Sequence, residues 1–177
     1  WPRLSAVQGD ATGQFNLGSM YYDGRGVTQD YTEAIRLYRL AAGQGFAAAQ
    51  YNLGVMYSKG QGVSQDYKEA VKWYRLASAQ GNAGAQYNLG LMYKIGQGVA
   101  QDYKEAVRLF GLSAAQGIGG AQFSLGMMYD KGWGLTQDYK EAVKWYRLAA
   151  EQGDVDAQNN LAVMYEYGNG VLQDNTM

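Results

Sequence analysis

The groups in this chain best suited to acid–base chemistry are carboxylates, and they come as a fixed pair. Asp30 and Glu33, Asp66 and Glu69, Asp102 and Glu105, and Asp138 and Glu141 are each three residues apart, and each pair returns 36 positions after the previous one. A catalytic dyad is a single constellation whose members sit in different surroundings. A pair copied four times reads instead as a structural device, an acidic variant of the capping box in which the Asp and the Glu three positions on, Asp66 and Glu69 for example, each accept from an otherwise orphaned backbone N–H near the helix start. The chain has no His and no Cys. That removes the Ser–His and Cys–His mechanisms, the usual zinc sites, disulfides and thiol redox motifs. Gly-x-Gly pairs beginning at Gly24, Gly60, Gly96, Gly132 and Gly168 look like part of a phosphate-binding loop. They lack the third glycine of that fingerprint and follow a helix-like segment where the fingerprint needs a strand. They are read as turns. The expectation is a protein with no catalytic residues, no metal ligands and no cofactor.

Composition narrows the partners. Apolar residues make up 47% of the 177 residues and charged residues 18%, a globular balance. A net charge of −1 gives no field that would draw nucleic acid or an anionic membrane. No apolar run approaches the ~18 residues of a membrane span, so no membrane insertion is expected. The opening WPRLSAVQGD has no basic segment followed by an apolar one and is not a signal peptide. A chain without Cys is compatible with any compartment.

The elements that must position any site come from repetition. QDY occurs at Gln29, Gln65, Gln101 and Gln137, and MY at Met20, Met56, Met92, Met128 and Met164, always in steps of 36. QG closes a unit at Gln8, Gln44, Gln80, Gln116 and Gln152. The chain therefore divides into full units 10–45, 46–81, 82–117 and 118–153, with partial units 1–9 and 154–177, all within one domain. Both ends fall inside a unit, so a slice of a longer array is expected, with end-to-end self-association through the open ends. Each unit reads as two helices. In the second, Ala49, Leu53, Met56 and Tyr57 have helical spacing and Gly60 is the stop signal. Asp66 then caps a helix whose apolar stripe is Ala70, Val71, Tyr74 and Ala77, and Gly81 ends it. Gly60 is expected in the left-handed conformation that closes the first helix. Glycines recur inside the first helices at Gly18, Gly54, Gly90 and Gly126, with Ala162 in the last unit. A mid-helix Gly costs about 1 kcal/mol against Ala, so its return implies close approach of a neighbouring helix. One such pair cannot bury its apolar face alone, and stacking supplies the missing partner.

The run A-x-Q-x-N-L-G-x-M-Y-x-x-G-x-G-V-x-Q-D-Y-x-E-A, followed by W-Y-R-L-A-A, resembles the Sel-1-like repeat, a 36-residue relative of the tetratricopeptide repeat. Residues 10–153 match at nearly every signature position. The resemblance implies an all-α fold, an α/α superhelical solenoid of helix–turn–helix repeats whose first helices line the concave side. It implies a non-enzymatic adaptor or scaffold that binds a protein or peptide. It also favours a bacterial periplasmic or secreted location, and the disulfide-bearing subgroup is departed from here. Some bacterial proteins of this kind resemble immunity-type inhibitors that sequester a toxic effector such as a phospholipase. That is the alternative reading.

Residues that recur build the stack, while residues that vary are free to select a partner. In the first helices one variable column holds Thr12, Ala48, Gly84, Gly120 and Asp156. A second holds Ser19, Val55, Leu91, Met127 and Val163, and a third Asp23, Lys59, Ile95, Lys131 and Tyr167. Offsets of seven and then four residues place them on one helical face. The same face carries Asn16, Asn52, Asn88, Ser124 and Asn160. Asn is a poor helix-interior residue, and its amide suits a partner's peptide group. The expected partner-binding set is therefore Asn16, Asn52, Asn88 and Asn160, an apolar floor of Ser19, Val55, Leu91 and Met127, and the outer Lys59, Ile95, Lys131 and Tyr167. Most tyrosines recur and are read as packing; Tyr22 and Tyr167 break the pattern and are read as contacts. Trp133 is placed on an exposed turn or over Lys131 or Tyr139. Phe46 and Ile118 replace the polar cap seen as Asp10, Asn82 and Asp154. Gly111 replaces the Arg of YRL and should soften its helix.

Overall fold

A computed structural model describes Ala6 and residues 9–171. Residues 1–5, 7, 8 and the terminal LQDNTM, on which the expectation of truncated ends rests, lie outside them. Among the described residues there are nine helices: α1 (Ala11–Asp23), α2 (Tyr31–Gly43), α3 (Ala47–Lys59), α4 (Tyr67–Ala79), α5 (Ala83–Ile95), α6 (Tyr103–Ala115), α7 (Gly119–Lys131), α8 (Tyr139–Glu151) and α9 (Val155–Tyr167). Odd-numbered helices are the first of each repeat and even-numbered helices the second. The described residues fall into two compact units, within Trp1–Ala85 plus Gln97–Ala100 and within Gln86–Gly96 plus Gln101–Met177.

Each signature letter has a physical job. The Asp30, Asp66 and Asp138 side chains each accept from two backbone amides at their helix starts, and Asp102 accepts from the Glu105 amide. The acidic residue three positions on does not complete a capping box as expected. The Asp66 amide already donates to the Tyr57 carbonyl at 3.0 Å. With that donor taken, Glu69 pairs with Lys72 at 2.6 Å on the exposed face. The Asp30, Asp102 and Asp138 amides likewise donate to Tyr21, Tyr93 and Tyr129. Just before each of these Asp residues, Gln29, Gln65, Gln101 and Gln137 each donate from the side-chain amide to the carbonyl seven residues earlier, in the last turn of the first helix. QDY thus ties the two helices of a repeat at their junction.

The Gly-x-Gly pairs work as turns with two different constraints. Gly60 takes φ 68° and its amide closes α3 by donating to the Met56 carbonyl, a left-handed cap. The second glycine is held by proximity. A Cβ on Gly62 would lie 2.6 Å from the Tyr31 carbonyl oxygen, and one on Gly134 would lie 2.5 Å from that of Tyr103. Here each repeat touches the second helix of the repeat before it.

In the first unit the core joins Ala34, Ile35, Tyr38 and Ala41 of α2 to Ala49, Leu53 and Met56 of α3. In the second unit, Phe110 and Ala114 of α6 meet Leu125 and Met128 of α7, and Tyr146 of α8 meets Ala157 and Met164 of α9. The mid-helix glycines make room for the largest of these groups. A Cβ on Gly18 would sit 2.9 Å from the Tyr38 ring, on Gly54 2.5 Å from Tyr74, on Gly90 2.7 Å from Phe110 and on Gly126 2.8 Å from Tyr146. A buried aromatic pressed against bare backbone repays the helix propensity that glycine forfeits.

The variant caps follow the expectation. Asp10, Asn82 and Asp154 accept from the amide three residues on, while Phe46 and Ile118 make no side-chain cap bond. Phe46 instead packs its ring 5.0 Å from that of Phe15, and Ile118 packs on the α6–α7 core.

Candidate functional site

The asparagine column sits beside buried tyrosines. Tyr38 donates its hydroxyl to Ser19 Oγ at 3.1 Å, and Ser19 donates onward to the Phe15 carbonyl. Burial raises the Tyr38 phenol above its ordinary value, while Ser19 and the adjacent Asn52 amide draw it back. Burial and the charge of Asp130 raise Tyr146 further, and Asn160 beside it acts in the opposite sense. At the place of Tyr38 the third repeat has Phe110, with no hydroxyl, and at the place of Asn52 the following repeat has Ser124. The asparagine and the phenol disappear together. Ser124 is buried and faces Tyr87. In the first variable column, Gly84 and Gly120 are small because the rings of Tyr51 and Tyr87 lie against them.

The other expected site residues differ in access. Asn16, Lys59, Ile95, Lys131 and Tyr167 are exposed; Asn52, Asn88, Asn160, Ser19, Val55, Leu91 and Met127 are half-buried. Leu91 packs on the α6–α7 core and Met127 on the α8–α9 core. Ile95 and Tyr167 keep 59% and 68% of their surface in solvent, large values for such side chains. Tyr22 is not an outward contact. Its ring lies 5.3 Å from that of Tyr31 and its hydroxyl donates to Gln61 Oε1 at 3.0 Å.

Trp133 is neither free on its turn nor packed over Lys131 or Tyr139. Its half-buried ring stacks on Tyr103 at 5.6 Å and 11°, and the Lys94 ammonium lies 5.8 Å from its centre. Lys94 is the one Lys or Arg among the described residues that is not exposed. Burial lowers its pKa, and among the described residues it has no carboxylate partner; its ammonium meets the Met127 sulfur at 4.0 Å. Sequence reasoning passed over it. The signal was present: Tyr22, Ser58, Lys94, Asp130 and Glu166 form a column more varied than those chosen, three residues after the Ser19 column.

A known repeat profile, described as the Sel1 repeat, matches residues 11–46, 47–82, 83–118, 120–154 and 155–177. The chain belongs to the Sel1 repeat family. Solved Sel1 structures carry the same all-α solenoid fold. One is a protective antigen present in uropathogenic Escherichia coli strains, with a TM-score of 0.95 and 44% identity over 98% of this chain and 37% of its own. Another is a Sel1 repeat protein from Oxalobacter formigenes, at 0.89 and 40% identity over 94% of this chain and 69% of its own. This chain thus spans little more than a third of the first relative. An immunity protein from Pseudomonas aeruginosa shares the fold at a TM-score of 0.57 and 22% identity, over 88% of this chain and 58% of its own. No curated protein matches. Sel1 repeat proteins are in general non-enzymatic scaffolds that bind proteins.

Proposed function

We propose that this Sel1 chain is a protein-interaction module that holds a peptide or protein segment on the variable face of its first helices. The observation that supports this most is the split between the two kinds of position. Stack-building residues are buried and repeat from unit to unit, whereas Lys59, Ile95, Lys131 and Tyr167 are exposed and all but the two lysines differ. Half-buried Val55 in the first unit, and Leu91 and Met127 in the second, offer apolar edges to a partner on the first helices of each. Asn16 has an exposed amide for a partner's main chain. Asn52 and Asn160 sit beside phenols, so the outer residues are the cleaner test.

The test uses a partner isolated by crosslinking to the full chain. Alanine at Lys59 in the first unit, and at Ile95, Lys131 and Tyr167 in the second, should weaken its binding by about tenfold per unit, with helicity unchanged. Alanine at Leu112 and Leu148, exposed on the second helices, should leave binding intact. The reverse pattern moves the site to the second helices and ends this reading. An immunity-type inhibitor of a toxic effector such as a phospholipase is the other reading. It draws on fold likeness alone, and dissociation over hours from a candidate toxin would favour it.

A further inference from the structure

Resting on the interaction reading, we infer that Lys94 is a receptor for a carboxylate, so that the second unit selects a segment in which acidic and apolar side chains alternate. Three features of the corner around Lys94 point this way.

The first is an incomplete set of partners. An ammonium has three N–H donors and no acceptor. Among the described residues Lys94 meets the Met127 sulfur at 4.0 Å, a weak acceptor, and the face of Trp133 at 5.8 Å. Neither replaces the water stripped from a half-buried cation. On the neighbouring helix α7 the Asp130 carboxylate is engaged at 2.8 Å by Lys131.

The second is rigidity. The Trp133 ring is stacked on Tyr103, and the Gly134 backbone beside it lies too close to the Tyr103 carbonyl for a Cβ. The ammonium therefore rests on a fixed aromatic wall, and a carboxylate meeting it would find a preorganised site.

The third is the apolar setting. Ile95, the next residue, leaves 59% of its surface exposed, and Leu91 and Met127 stand half-buried on the same helical faces. A partner that supplied only charge would leave these edges wet. One that supplied only apolar groups would leave the ammonium buried and unpaired, at a cost. A segment with a carboxylate next to an apolar side chain answers both. The weakened basicity of Lys94 fits a site whose cation is waiting for its counter-charge.

The probe is a short capped peptide of alternating leucine and glutamate, with its leucine–glutamine counterpart as the neutral control, titrated calorimetrically into the full 177-residue chain. The glutamate peptide should bind about tenfold more tightly than the glutamine peptide. Lys94→Met should abolish that preference with helicity unchanged, and Lys94→Arg should keep most of it. The bound glutamate peptide should also move the Lys94 ε-methylene titration to higher pH, which a merely structural lysine would not show. Equal binding of the two peptides, no binding of either, or an intact preference in Lys94→Met overturns the assignment. In those cases the interaction reading stands or falls separately, on whether the outer-face variants above lose their crosslinked partner.

Discussion

Two corners of this molecule occupy equivalent places and hold different chemistry. In the first unit Tyr22 lies on Tyr31 and donates to Gln61; in the second, 72 residues on, Lys94 stands over Trp133, which stacks on Tyr103. The scaffold beneath is shared. Gln29 and Gln101 tie the junction in both, and Gly62 and Gly134 approach equivalent carbonyls, those of Tyr31 and Tyr103. The first corner is closed, a neutral donor meeting a neutral acceptor. The second is open, a cation with donors unspent. Repetition fixes where a corner is, and two substitutions decide whether it is cement or a site.

The largest effect should come from the shared scaffold. Gly134→Ala and Gly62→Ala each force a Cβ onto backbone at positive φ and should each cost about 3 kcal/mol in urea unfolding. Similar costs would affirm that the corners are built alike; a cost at one alone would break the equivalence. Next, Tyr22→Phe removes a half-buried hydrogen bond and should cost about 1 kcal/mol. A change of similar size and opposite sign is expected at Gly111. Arg39 and Arg147 donate to Tyr57 and Tyr165, while Gly111 gives Tyr129 no such donor and has open space around it. Gly111→Arg should stabilise the second unit by about 1 kcal/mol, seen as a higher midpoint at unchanged slope.

The smallest effect at neutral pH belongs to Lys94→Met, within about 0.5 kcal/mol. Its pH dependence carries the information. Burial lowers the folded pKa of Lys94 below the ordinary 10.5, so the unfolded chain holds that proton more tightly. The wild type should therefore gain stability relative to Lys94→Met as pH rises through the folded value towards 10.5. Tyr38, Tyr87 and Tyr146 have raised pKa values. They act with the opposite sign, losing stability once unfolded phenols ionise. Both proteins share them, so the difference between the two curves isolates Lys94. A flat difference would place Lys94 in open solvent.

Much of this was legible without coordinates, for a physical reason. Caps, stop glycines and the 36-residue step are local chemistry, and local chemistry repeats in the letters. Phe46 and Ile118 could be read as lost caps because a cap needs only its own side chain and the next amides. Glu69 was misread because its expected acceptor role depended on the Asp66 amide, which a carbonyl from the preceding helix had already taken. The link between the asparagines and the phenols is not local: Asn52 meets Tyr38 only in space, and the joint change to Phe110 and Ser124 has meaning only there.

The sequence by itself determined the period, the helix pairs and the family, since each follows from spacing along one chain. The tertiary structure alone decided which varied residues were already spent. Tyr22 and Lys94 look equally free as letters, and Trp133 looks exposed. Their fates depend on groups a full repeat away, where the partner, and the water it displaces, is a matter of distance in space.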